Sequence, residues 1–170
     1  MKAGGTSRLF LALWPDEGTR EALARCRDAW AWDAHAVPER TERLHLTLHF
    51  LGAVPQRRLP ELIDGLRVSF SAFTVHLDCA QRWPNGIAVL TPQAVPQALL
   101  ALHAAQRVGL ERLALTTEAR RWRPHLTLAR HTGESAAPAH TSMVHWQVRG
   151  YGLVESQAVT GDYLMLRNYA

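Results

Sequence analysis

Lysine is almost missing from this chain: of 19 basic residues, Lys2 alone is not arginine. Any anion site here is therefore built from planar, forked donors that grip phosphate through two bonds, a tendency that the net charge of +4 understates. A coding bias toward arginine gives the same composition, so this alone assigns nothing. Cysteine is scarce as well. Cys26 and Cys79 stand far apart in no metal-ligand spacing, which excludes a disulfide framework and a zinc knuckle and leaves two reduced thiols. No apolar run approaches the ~18 residues of a membrane span, and residues 1 to 7 lack the charged-then-apolar order of a signal peptide. The expectation is a soluble, cytoplasmic monomer that needs no membrane, metal or cofactor.

What is present suffices for a core. At 170 residues and 47% apolar content the chain reads as one domain, residues 1 to 170, with no low-complexity linker. Residues 8 to 14 (RLFLALW) are apolar on both faces, the pattern of a central strand. Pro15 and Asp16 end it, and Ala22, Leu23, Cys26 and Trp30 then recur at helical spacing. Residues 43 to 51 (RLHLTLHFL) alternate as a half-buried strand does, and Leu59, Leu62, Ile63 and Leu66 predict a second helix entered through Pro60. Strands are expected at 73 to 79 and 86 to 90, a helix near 95 to 110, and another alternating strand at 123 to 130 (RPHLTLAR). A Gly, Ser, Ala and Pro rich loop follows at 131 to 142, then closing strands near 144 to 153 and 162 to 166. This order predicts an α+β fold of two pseudo-symmetric lobes, each an antiparallel sheet backed by helices, with a cleft between them.

One tetrapeptide carries the chemistry. With nine His, 24 Leu and 12 Thr in the chain, His-Leu-Thr-Leu is expected about 0.01 times by chance. It occurs twice, at His45 and at His125, and an arginine stands two residues before each histidine, Arg43 and Arg123. Residues two apart on a strand share a face, so His45 projects with Thr47 and His125 with Thr127, while Leu44, Leu46, Leu48 and Phe50 face the core in one copy and Leu126 and Leu128 in the other. Imidazole titrates near pH 6.5, so one of two facing histidines can be neutral and accept a proton while the other is charged and donates one. Such a pair suits displacement at phosphorus, with the threonine hydroxyls holding the non-bridging oxygens. His49 is a further polar candidate by parity, and a metal site of His45, His49 and His125 is disfavoured for want of a carboxylate or cysteine. Trp122, beside the second motif, is a candidate for stacking a terminal base.

HLTLHFLG at 45 to 52 and RPHLTLAR at 123 to 130 resemble the paired HxTx motifs of the 2H phosphoesterase superfamily, and most closely those of the RNA 2',3'-cyclic phosphodiesterases, also called 2'-5' RNA ligases. The RLFLALWPDEGTREAL opening, the spacing of about 80 residues between motifs and a Val-Glu-Ser turn at 154 to 156 extend that likeness over nearly the whole chain. The resemblance implies a bilobal fold, RNA ends or nucleotides bearing a 2',3'-cyclic phosphate as partners, and opening of the ring to a 2'-phosphomonoester. It further implies His45 as proton donor and His125 as proton acceptor, with Thr47 and Thr127 on the phosphate. Arg130 sits where the family often has an arginine, yet strict alternation puts it on the core face. Arg123 is the phosphate candidate by parity. Two other readings stand beside hydrolysis: the same site run backwards to join ends through a 2'-5' linkage, and a non-catalytic module that binds RNA ends.

Overall fold

The computed structural model describes residues 4–170, so part of the N-terminal stretch read above, residues 1 to 3, lies outside it. In chain order the elements are β1 (Thr6–Leu13), α1 (Glu17–Asp28), β2 (Val37–Pro38), β3 (Leu46–Pro55), α2 (Leu59–Gly65), β4 (Phe73–Leu77), β5 (Cys79–Arg82), β6 (Ala88–Thr91), α3 (Gln97–Arg112), β7 (Leu126–Arg130), β8 (Val144–Val148), β9 (Tyr151–Ser156) and β10 (Tyr163–Tyr169). Asp16 caps α1 by accepting a bond from the Thr19 backbone N–H at 2.8 Å, which satisfies one of the free donors of the first turn.

The fold is the expected bilobal α+β arrangement, and its two halves are joined. Strands run in the order β10-β9-β1-β3-β7-β6-β5, and β2 pairs with β7 on the same edge as β3, beyond the contact between β3 and β7. That contact pairs Leu46 with Leu126, antiparallel. Leu13 pairs with Leu46 on one side and Leu90 with Leu126 on the other, giving a row of four leucines across the join, none with any exposed surface. The same core cluster includes Leu23 and Cys26 of α1, Leu62 of α2, and Leu99, Leu102 and Leu110 of α3. A separate ribbon of β4 and β8 buries Val75, Leu77, Val144, Trp146 and Val148 in this cluster.

The pattern misleads at a few places. The segment 144 to 153 is two strands, because its first part pairs with β4 and its second with β1 and β10; at Gly150 between them a side chain would run into the carbonyl of Tyr169. Cys79–Arg82 forms a hairpin arm with β6 that its weak alternation concealed. Val154 to Ser156 ends strand β9 and is not a turn.

Most consequential are the bulges. Leu11 pairs with His49 and Ala12 with Thr47, so Leu48 is an extra residue in β3; Ala88 pairs with Ala129 and Val89 with Thr127, so Leu128 is an extra residue in β7. Both HLTL copies are therefore bulged at the same leucine. A bulge counts two residues as one, and everything beyond it changes face. Phe50, expected in the core, is 55% exposed, and Arg130 is exposed as well. The difficulty of Arg130 on the core face disappears.

Candidate active site

The Leu46–Leu126 pairing orients both motifs. Continued by one residue in antiparallel register, it sets His45 beside Thr127 and Thr47 beside His125, a pseudo-twofold arrangement on the face opposite the leucine row. His45, Thr47, His125, Thr127, Arg123 and Arg130 all line one cleft of about 1190 Å³. The sequence-identified residues thus share a single site.

Each histidine is held in the same way. The His45 Nδ1 lies 2.6 Å from the carbonyl of Arg43, and the His125 Nδ1 lies 2.7 Å from the carbonyl of Arg123. A carbonyl can only accept, so Nδ1 carries the hydrogen and Nε2 is left as the nitrogen that gains or loses a proton. On His45, Nε2 lies 3.1 Å from the Thr47 hydroxyl. The arginine two residues before each histidine plays a matching part. Arg43 lies over the ring of Tyr163 at 4.5 Å, and Tyr163 meets His45 edge-on; Arg123 lies over Trp83 at 4.4 Å, and the Trp83 ring centre is 4.6 Å from that of His125. Both arginines are steadied by cation–π contact with the ring that packs against the neighbouring histidine.

The two histidines differ in enclosure. His45 is stacked on Trp14 at 5.2 Å and packed by Phe10 at 5.1 Å, with Tyr163 closing the cage. That burial, reinforced by the positive charges of Arg43 and Arg130, pushes its pKa down to about 4. Burial also lowers the pKa of His125, helped by Arg123 and Arg130. Neither imidazole therefore holds a second proton at neutral pH in the empty cleft, a departure from the even sharing expected of two ordinary histidines. An anion bound between them opposes that bias, because it favours the charged form of both.

His49 also lines the cleft, though not beside His45 and Thr47 as parity expected. The bulge turns it inward, where Nε2 lies 2.9 Å from the carbonyl of His103 in α3, and the two rings stack at 3.9 Å. His103 is stacked in turn on Trp122 at 4.0 Å, and the Trp122 indole N–H donates to the carbonyl of Thr47 at 3.3 Å. This column props β3 at Thr47. Both histidines in it are driven toward the neutral form by burial, His103 to about 4.

Arg130 reaches the cleft beside Glu39, whose Oε1 accepts from Arg130 Nε at 3.2 Å while Oε2 sits 3.8 Å from Arg43 Nε. Sequence reading missed Glu39, Phe10 and Tyr163, and did not single out Trp14 or Trp83. Glu39 lies in an aperiodic stretch, and the four aromatics come from β1, β10 and the turn after β5, so only the pairing of distant strands brings them together.

Residues 13–88 match the family described as LigT-like phosphoesterase. An RNA 2',3'-cyclic phosphodiesterase of Thermus thermophilus is 32% identical over 163 residues, which cover 88% of this chain and 82% of that protein. A second, from Methanocaldococcus jannaschii, is 30% identical over 125 residues, covering 72% of this chain and 70% of its own. Among solved structures, E. coli LigT complexed with 3'-AMP superposes with a TM-score of 0.85 at 26% identity, covering 97% of this chain and 98% of that one.

Proposed function

The chain belongs to the LigT-like phosphoesterase family, and from that premise we propose that His45 and His125 carry out its reaction as a general acid and base pair. The protein is an enzyme that hydrolyses RNA 2',3'-cyclic phosphodiester ends. In our reading the product is the 2'-phosphomonoester, and nucleotides carrying the same cyclic group are substrates too.

The observation that supports these roles is the matched pair of Nδ1–H to carbonyl bonds, which leaves two Nε2 atoms to face one phosphate from the two motifs. A water attacks phosphorus as His125 Nε2 takes its proton. The bond from phosphorus to O3' breaks, and His45 Nε2 gives its proton to O3'. The enzyme is left with His45 neutral and His125 charged, and exchange with solvent restores it. Thr47, Thr127 and Arg130 supply donors to the non-bridging oxygens, and their charge-assisted bonds strengthen as negative charge gathers in the transition state. Arg123, held on Trp83, approaches the phosphate from the His125 side.

Phe50 occupies the place in the first motif that Arg130 occupies in the second. One end of the cleft thus offers a guanidinium and the other an exposed ring, which suits a ligand with a phosphate and a base. Both motifs lie in one chain, so one copy suffices. The enzyme acts on its own in the cytoplasm in this reading, and among the described residues no helix is long and apolar enough to cross a membrane.

The test is incubation with an RNA ending in a 2',3'-cyclic phosphate, in excess chelator, with the product isomer identified. A 2'-phosphate is expected. A 3'-phosphate would reverse the roles of O2' and O3', and absence of turnover with tight binding would reduce the protein to an RNA-end binder.

A further inference from the structure

A carboxylate stands inside a cleft meant for phosphate. Glu39 is held there by its backbone: its N–H donates to the carbonyl of Leu128, its carbonyl accepts from Arg27, and the preceding residues of β2 pair with β7. Its side chain is mostly buried and touches Arg130 and Arg43 together. Arg43 is committed elsewhere too, donating to the Tyr163 hydroxyl at 2.9 Å. Two guanidiniums and one carboxylate leave this end of the cleft with a formal charge of +1. A site built only to attract phosphate has no use for the carboxylate, since Arg130 would bind an anion more strongly without it.

The two ends of the reaction differ in charge. The cyclic diester carries one negative charge at neutral pH, whereas the monoester has a second ionisation near pH 6 and carries between one and two. Whatever the arginines around it contribute, Glu39 repels each negative charge the ligand brings, so it penalises the second charge of the monoester on top of the first. We propose that Glu39 is a charge filter that admits the cyclic diester and expels the monoester product by like-charge repulsion, limiting product inhibition. This rests on the hydrolytic reading above. Arg130 offers its Nη atoms to the phosphate while Glu39 holds Nε, so the carboxylate lies about one guanidinium width from the ligand. At that range, in the partly excluded solvent of a cleft, one extra unit of ligand charge is worth about tenfold or more in affinity.

The experiment compares E39Q with the unaltered protein for three ligands: adenosine 2',3'-cyclic phosphate, adenosine 2'-phosphate and the methyl ester of adenosine 2'-phosphate. The last has the product's open shape and the substrate's single charge. Turnover of the cyclic compound by the unaltered protein is measured first, since its absence sinks the reading of nucleotides as substrates whatever Glu39 does. In E39Q the 2'-phosphate should inhibit about tenfold more strongly relative to the cyclic compound, while the methyl ester keeps pace with the cyclic compound. Equal shifts for all three ligands overturn the filter and leave hydrolysis standing. Weaker binding of all three also overturns it, because Glu39 then merely positions Arg130. E39A, which removes the amide as well, repeats the comparison, and melting curves check that both variants are folded.

Discussion

Leu46 lies directly across from Leu126, and through that pair the two halves of the sheet become one. Behind the pair are Leu13 and Leu90 in the same row, all fully buried. In front of it are the two histidines. The site is therefore a property of the join, and the distance between His45 and His125 is set by how the leucines pack.

Replacing Leu46 or Leu126 by alanine opens a cavity at the join and should lower stability by about 2–5 kcal/mol. Activity measured well below the melting temperature should fall by more than the unfolded fraction accounts for, because the motifs lose their mutual reference. The two leucines touch, so the double variant should depart from additivity by at least about 0.5 kcal/mol in denaturant melts. Strictly additive losses would mean that the halves are independent.

The histidines are tested by H45A, H125A and the double variant. General acid or base catalysis contributes about 10²- to 10⁴-fold, and each single variant should lose that much in kcat while melting near the unaltered protein. The double variant should be scarcely worse than the poorer single one, since removing either partner already breaks the concerted step. Losses that multiply would count against concert.

The two HLTL copies and their leucine faces were legible in the sequence because an exact repeat at period 2 fixes both the strand and its buried side. The bulges were not. A bulge is decided by the partner strand, and nothing in RLHLTLHFL or RPHLTLAR marks Leu48 or Leu128 as the extra residue. The parity argument accordingly sent Phe50 inward and made Arg130 awkward. Glu39 and the rings around His45 were hidden for a related reason: β2, β1 and β10 reach the site through non-local pairing, which leaves no periodic trace in the local sequence.

Phe50 and Arg130, brought to the cleft by equivalent bulges, should fail in different ways. F50A removes an exposed ring that offers a stacking face, and stacking is worth about 1–3 kcal/mol per base. It should raise KM about fivefold or more for nucleotide substrates with little change in kcat. R130A should lower kcat about tenfold or more, because its donors act on charge that develops in the transition state. R123A should do less, since that guanidinium is stacked on Trp83 at the other end of the site. A KM effect for R130A with kcat intact would reduce Arg130 to ground-state binding.

The pH dependence follows from what surrounds the imidazoles. Burial lowers both pKa values, His45 to about 4, and the positive charges of Arg43, Arg123 and Arg130 add to it. The reactive enzyme holds one proton on the pair, so kcat/KM should trace a bell whose limbs are the pair's macroscopic pKa values in the empty cleft. Both limbs should fall on the acidic side of 6.5. The profile of kcat belongs to the occupied cleft, where the negative phosphate favours protonation, so its bell should lie at higher pH. Arg130 supplies the sign test. It faces both histidines and disfavours their charged forms, so R130Q should raise both pKa values and move the kcat/KM bell toward neutral pH even as its height drops. A bell that stays in place in R130Q, or one centred above pH 7 in the unaltered protein, would overturn the account of how burial and the arginines set the two protons.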